Sequence, residues 1–345
     1  MLSAPPCGRR WPHLTAVLPF LFLGPQCLAD SPELAMREFS SGQIKKGVRA
    51  IGFGGDGATW GNYALVWKDQ GTALGDYGDT GYSNGNQFHF AAIGGTTPLL
   101  WHDLAVYVIL LRQDSGHVDF MTTSPGWQTA RTQASGQGSD RAVFTKMAMP
   151  LGSGFSAGVL LSHEVSEFTA QSVTDAAKTV RYQTAWRPSG GYGVVWESPG
   201  KDWLLGFRGL INRDLERRTD PSGTAEGSAR SSEYRAGASY AIWDGALLDI
   251  GRTRYHREND LSQVNTMYYA PNLGFEQTFD AGRSAVRFGL DESSPGAGFT
   301  HQFAGCKLDV AYVSNLAQRR VGTLFGTDSR SLIATLTFGY GARAR

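Results

Sequence analysis

The stretch Ser331-Leu332-Ile333-Ala334-Thr335-Leu336-Thr337-Phe338-Gly339-Tyr340 decides the fold. Read by every second residue, one face is Leu332, Ala334, Leu336, Phe338 and Tyr340, and the other is Ser331, Ile333, Thr335, Thr337 and Gly339. Side chains of a strand alternate between faces, so this segment reads as a strand with one apolar, aromatic-tipped face and one small, mostly polar face. A tilted strand of about 10 residues crosses a bilayer, whereas a helix needs about 20. The alternation predicts Leu332, Leu336 and Phe338 toward lipid and Thr335 and Thr337 toward a lumen. The chain therefore reads as all-β, a transmembrane antiparallel β-barrel built from repeats of this unit and closing on its own first strand.

Composition fits. The 345 residues carry a net charge of +1, which gives no reason to expect nucleic acid as a partner. Glycine is abundant at 44 residues, and aromatics make up 12%. No segment beyond the N-terminal region holds 18 consecutive apolar residues. The densest run is Leu104–Leu111, which excludes a helical membrane protein. A barrel looks like this, because alternate residues face lipid and the lumen is polar. The first residues read as a secretory signal: Arg9 and Arg10, then apolar Leu14–Leu23, then Cys27-Leu28-Ala29 with cleavage expected after Ala29. Only Cys306 would survive that cleavage, so no internal disulfide and no cysteine metal cluster is expected.

Alternating runs recur through the second half, at Trp203–Asn212, Tyr234–Ile242, Val286–Asp291 and Lys307–Tyr312. A soluble sandwich would also alternate. The barrel is favoured by strand length, aromatics near strand ends, the leader, and the alternation of short and long connections. Short Gly, Pro and Asp turns fall at Pro150–Gly154, Ser198–Asp202, Trp243–Gly245, Asp280–Gly282, Ala304–Cys306 and Thr96–Pro98. Longer polar connections fall at Gln113–Ser139, Glu167–Thr179, Leu215–Ser232, Glu258–Thr266 and Leu316–Ser329. If the last strand ends in the periplasm, the short turns are periplasmic and the long connections external. Counting back gives 13 strands from Gln87 onward. One more, placed at Asn62–Lys68, gives 14 strands, with 12 as the alternative; Arg187–Gly191 is a further turn candidate that would upset the parity. The expected organisation is 1–29 signal peptide, 30–86 N-terminal hatch or plug in the lumen, 87–340 barrel, and 341–345 a short basic tail.

Glu38-Phe39-Ser40-Ser41-Gly42, followed by Arg49-Ala50-Ile51-Gly52-Phe53-Gly54-Gly55-Asp56-Gly57-Ala58, resembles the N-terminal hatch of the long-chain fatty acid outer-membrane transporters of the FadL/TodX type. The turn at Met149–Gly152 looks like an early periplasmic turn of the same family. The resemblance implies a 14-stranded plugged barrel in the Gram-negative outer membrane, with Phe39, Arg49, Gly52, Gly54 and Gly55 in the hatch.

The same Gly-rich run lacks the Lys-Ser/Thr of a phosphate-binding loop. Ser162-His163-Glu164 and His102-Asp103 are the candidates for hydrolytic chemistry, but neighbours on a strand point to opposite faces, so Ser162 and His163 cannot pair. His102, His117, His163, His256 and His301 show no metal-ligand spacing. Arg208, Arg235, Asp249, Arg287, Lys307 and Asp309 fall on the inward parity as lumen and selectivity candidates. Charge on the lipid face would cost roughly 2–4 kcal/mol at the midplane. Trp101, Trp196, Trp203, Trp243 and Tyr340 are expected in aromatic girdles. The expected function is passive passage of a small solute, hydrophobic under the resemblance, through a monomeric barrel. It needs no catalytic residue, cofactor or metal, and its partners are the lipid bilayer and the solute. The alternatives are a barrel enzyme acting on lipid, an adhesive or structural barrel, and a secreted soluble sandwich.

Overall fold

A computed structural model describes residues 58–69, 72–98, 104–122, 132–173, 179–185, 189–262, 264–316, 320, 324–326 and 328–339. The signal peptide, the hatch residues Phe39, Arg49, Gly52, Gly54 and Gly55, and the basic tail lie outside them. Among the described residues, sixteen strands form one antiparallel sheet. They are β1 (Ala73–Tyr82), β2 (Gln87–Pro98), β3 (Ala105–Ser115), β4 (Val118–Thr122), β5 (Thr132–Gly152), β6 (Phe155–Ser172), β7 (Thr179–Ala185), β8 (Ser189–Glu197), β9 (Trp203–Asp220), β10 (Gly223–Trp243), β11 (Ala246–Asn259), β12 (Val264–Phe279), β13 (Ser284–Asp291), β14 (Ser294–Phe303), β15 (Cys306–Ser314) and β16 (Ser329–Phe338).

β3 and β4 both pair with β5, and β7 and β8 both lie between β6 and β9. Each of these pairs fills a single place in the wall, so sixteen strands make a closed barrel of 14 positions. Closure runs from Ala73↔Phe338 to Tyr82↔Ser329. The break at Arg187–Gly191 is therefore not a hairpin. Ser162 pairs with Ser189 and Glu167 with Gln183, so four residues of β6 oppose five across the break.

The fourteenth strand is not Asn62–Lys68. That stretch belongs to a 3-10 helix, Tyr63–Asp69, and the wall begins within the segment expected to be hatch, at Ala73. Glycine and aspartate dilute the alternation of Ala73–Tyr82, whose outward face offers Tyr77 as its large apolar group. What fixes this strand is its partners. Thr80 Oγ1 lies 2.8 Å from Ser331 Oγ, and Asp76 accepts from Thr335.

The opening stretch behaves as read over Ser331–Gly339; Tyr340, like Trp101, lies outside the described residues. Leu332, Leu336 and Phe338 are exposed on the outer face, and Thr335 and Thr337 are buried inside. The outer face carries Ile93, Leu110, Leu161, Leu205, Ile250, Leu273 and Phe288 among many exposed large apolar groups, far more than water-facing surfaces display. Trp203, Trp243, Phe303 and Phe338 form an aromatic border toward the rim of short turns. One of those turns is the two-residue Asp244-Gly245, where Gly245 takes φ +75°. At the opposite rim several expected loops are strand instead. Leu215–Ser232 continues the β9–β10 hairpin, held by Arg217–Glu226 and Thr219–Thr224 across the ladder. Beyond the apolar band both faces are polar, so alternation disappears while backbone pairing continues.

Closure makes one prediction. Unboiled protein in dodecyl sulfate should run faster than boiled protein on a gel. Replacing Ala334 by proline, which removes a ladder donor beside the seam, should lower the conversion temperature, and identical migration before and after boiling would contradict a closed barrel.

Candidate functional site in the barrel lumen

The lumen has two unlike halves. On one side the inward faces of β2, β3, β5 and β6 carry a large apolar cluster, Phe88, Phe90, Tyr107, Ile109, Leu111, Phe144, Leu160 and Phe168, interrupted by buried Gln113, Asp140, Lys146 and Glu164. This cluster runs along the wall and is joined by Ala311, Val313 and Ile333 near the seam. Leu104–Leu111, the densest apolar run in the sequence, is thus apolar on both faces, with Val108 and Leu110 outward and Tyr107, Ile109 and Leu111 inward.

The other half is charged. Arg208 Nη2 lies 2.6 Å from Glu233. Arg235 reaches Glu233 at 2.7 Å, Asp291 at 3.1 Å and Glu292 at 3.2 Å. Arg320 meets Glu233 at 2.6 Å and also pairs with Glu292. The Tyr268 hydroxyl donates to Glu292 at 2.8 Å. Closer to the seam, Arg287 pairs with Glu276 and lies 3.5 Å from Asp309, which Lys307 meets at 3.0 Å. Glu292 sits in the β13–β14 turn at φ +62°, a conformation that costs a non-glycine residue of order 1–3 kcal/mol. The tight turn drops its carboxylate among the arginines.

All six sequence-predicted charges, Arg208, Arg235, Asp249, Arg287, Lys307 and Asp309, lie on inward positions. Arg208 and Arg235 meet on Glu233, and Arg287, Lys307 and Asp309 form a second group. Asp249 stands apart and accepts from Thr59 at 2.8 Å. Sequence reading missed Glu233, Asp291, Glu292 and Arg320. Glu233 shares a face with Arg235 by its two-residue spacing, which was available as a signal. Arg320 fell in a stretch expected to project outward.

Residues 58–69 lie against the inner wall near the short-turn rim. Trp60 Nε1 donates to Ser239 at 2.9 Å, Trp67 Nε1 to Ser156 at 3.0 Å, and Lys68 to Glu197 at 3.0 Å. Asn62 Nδ2 donates to the carbonyls of Val194 and Phe207 at 3.3 and 3.0 Å. The seat is made of glycine. A Cβ on Gly193 would stand 1.9 Å from Asn62 Oδ1, one on Gly206 1.8 Å from the Ala58 carbonyl oxygen, and one on Gly158 2.6 Å from the Tyr63 carbonyl. Tyr63 is wholly buried beneath the Arg208 guanidinium, 5.1 Å from its ring centroid. Burial pushes its hydroxyl up to about 12 against the opposing pull of Arg208, so it stays neutral.

At the far end the connection between β15 and β16 turns inward. Phe325 is wholly buried, its ring 4.8 Å from that of Phe88 and 6.3 Å from that of Phe168. Asn84 and Asn86 donate to its carbonyl at 3.0 and 2.8 Å. Leu316 and Leu324 join the apolar cluster, and Arg320 stacks 4.7 Å over Tyr255. The apolar side is thus covered by Phe325 at one end and Tyr63 at the other.

Ser162 is buried inside and His163 is exposed outside, so they do not meet. Ser284 Oγ lies 2.8 Å from His301 Nδ1, but Asp280 contacts Ser284 at 3.1 Å rather than the imidazole. A hydrolytic triad needs its acid on the histidine. His102-Asp103 lies outside the described residues, which hold no group of three or more potential metal ligands.

No protein-family model and no curated protein matches the sequence. Solved structures do. The toluene transporter TodX of Pseudomonas putida is 8% identical, with a TM-score of 0.53, over 85% of this chain and 98% of that one. A FadL homologue of Pseudomonas aeruginosa is 12% identical, with a TM-score of 0.53, over 86% and 98%. The CymD monoaromatic hydrocarbon channel is 12% identical, with a TM-score of 0.53, over 84% and 96%. The fold is therefore that of the FadL/TodX-type barrels, as the resemblance of residues 38–58 implies.

Two outcomes follow from the contacts. Glu233→Gln leaves three buried arginines short of one carboxylate and should cost about 3–5 kcal/mol in denaturant unfolding from vesicles. Gly206→Val drives a side chain into the Ala58 carbonyl. In a Cys306→Ser background, an Ala64→Cys thiol should then react with a soluble maleimide about 10-fold faster, the factor given by ~1.4 kcal/mol of lost seating.

Proposed function

We infer that the protein is an outer-membrane channel that passes small hydrophobic solutes by passive diffusion through a plugged barrel. The observation that carries this is the apolar inner wall from Phe88 to Leu160. A hydrophobic solute that reaches this cluster leaves water at a gain of roughly 25 cal/mol per Å² buried. The fold likeness to proteins described as a toluene transporter and a monoaromatic hydrocarbon channel supports the same reading.

The long-loop rim faces outward and the short turns face the periplasm, with residues 1–29 removed on export. Residues 58–69 belong to a plug that residues 30–57, with Phe39, Arg49, Gly52, Gly54 and Gly55, complete. The solute enters once Phe325 withdraws from Phe88 and Phe168, follows the apolar side, and leaves once the plug shifts from its glycine seat. The charged half, with Arg208, Arg235, Asp249, Arg287, Lys307 and Asp309, holds the plug and Arg320 and narrows the path to that side. The barrel works as a monomer and needs no cofactor.

The test is uptake of a monoaromatic hydrocarbon by cells whose outer leaflet is itself a poor route for it. Expression should raise uptake, and Phe325→Ala and Arg320→Ala should each raise it several-fold further, since each frees roughly 1–3 kcal/mol of closure. No uptake above empty cells with the parent or either variant would overturn the reading.

A further inference from the structure

The outer face of β9, β10 and β11 carries arginines that the lumen does not use. Arg213 and Arg230 stand directly opposite one another across the β9–β10 ladder. Arg252 and Arg254 lie two residues apart on the outward side of β11, opposite Ala236 and Tyr234. All four are exposed. Among the described residues none of them has a carboxylate partner. Arg252 stacks 4.8 Å over the Tyr269 ring, and Arg254 lies 5.9 Å from the Tyr234 ring. Elsewhere on the outer face three arginines meet carboxylates, Arg112 with Asp114 at 2.8 Å, Arg181 with Glu167 at 2.8 Å, and Arg217 with Glu226, while Arg141, opposite Arg112, and Arg330 are single exposed arginines.

Like charges directly opposite on a ladder repel, so an unmatched run is retained at a cost to the isolated barrel. Its height is informative. The neighbouring β13 ends at Asp291, opposite Asn272, which in turn pairs with Gly251. A turn cannot lie in hydrocarbon, so the apolar layer ends near this row. Ile250 and Leu273, just on the short-turn side, are exposed and apolar; Arg252 and Arg254 are the next outward positions, beside Tyr269. Arginine backed by tyrosine at the edge of an apolar band is chemistry for lipid phosphate.

We propose that the outer face of β9–β11 binds the headgroup of a glycolipid carrying two phosphates, in the leaflet at the long-loop rim. Arg213 and Arg230 take one phosphate, and Arg252 and Arg254 take the other. Along β10, at ~3.3 Å per residue, Arg230 lies about 13 Å from the row of Arg254 and about 20 Å from that of Arg252, so two separate arginine pairs fit two phosphates better than one. The acyl chains then lie on the apolar band below. The proposal rests on the transmembrane placement of the barrel but not on what passes through it.

The test is native mass spectrometry of the full chain in neutral detergent, titrated with a bisphosphorylated acylated glucosamine disaccharide, its dephosphorylated counterpart, and phosphatidylglycerol. The parent should retain one bisphosphorylated lipid per barrel, more weakly as salt rises. Affinity should fall at least about 10-fold in Arg213→Gln/Arg230→Gln and in Arg252→Gln/Arg254→Gln, a fall worth ~1.4 kcal/mol. Heat-modifiable migration reports whether each variant is folded. Equal retention of the dephosphorylated lipid by the parent, a measurement that needs no variant, would overturn the proposal. So would unchanged affinity in both folded variants, or phosphatidylglycerol binding as tightly as the bisphosphorylated lipid. Hydrocarbon uptake is unaffected by these substitutions, so failure here and failure of the transport reading are separate results.

Discussion

Hydrocarbon offers no partner for a backbone N–H or C=O, so a sheet that crosses a membrane must have no edge. In this chain that requirement falls on a single seam, where Ala73–Tyr82 meets Ser329–Phe338. β16 can present alternating lipid and lumen faces because β15 pairs with it on one side and β1 on the other. β1 is the weaker strand by composition. It is held by its place in the ring and by inward contacts such as Thr80 with Ser331, rather than by an apolar outer face of its own.

Closure also creates the interior in which the remaining chemistry happens. Packing one side with Phe88, Phe144 and Leu160 makes that surface dry. The opposite side is then a low-dielectric place for arginines, and Arg208, Arg235, Arg287 and Arg320 each meet carboxylates there. The two halves depend on each other. The ionic half anchors Arg320, and through it the inward fold that carries Phe325 onto the apolar half. The glycines of β6, β8 and β9 leave room for residues 58–69, whose Tyr63 belongs to both halves, under Arg208 and within the apolar cluster.

Much of this was legible in the chain, and the exceptions have physical causes. Strands from Trp203 onward announce themselves because their lumen side is polar, so two-residue periodicity is clean. The inward positions of Arg208, Arg235, Arg287 and Asp309 follow from that parity. In β2 and β3 the lumen side is apolar too, and Leu104–Leu111 reads as a solid run with no face to assign. β1 was hidden by Gly75, Gly78, Asp76 and Asp79. Asn62–Lys68 reads as a strand because a short apolar run does not distinguish a strand from a helical turn packed in a dry place. Arg320 and Phe325 read as part of an exposed loop because a polar connection between strands gives no local sign that it folds inward. Their partners, Glu233 and Phe88, are remote in sequence.

The central claim is that the apolar half of the lumen is the path a hydrophobic solute takes. The most direct measurement is photolabelling of the membrane-embedded protein with a small aromatic diazirine, read residue by residue with and without excess monoaromatic hydrocarbon. The account predicts competed labelling of Ile109, Phe144 and Leu160, stronger in Phe325→Ala, beside uncompeted labelling of lipid-facing Leu110 and Leu161. Labelling confined to the lipid-facing set, with Phe144 and Leu160 untouched even in Phe325→Ala, would contradict it.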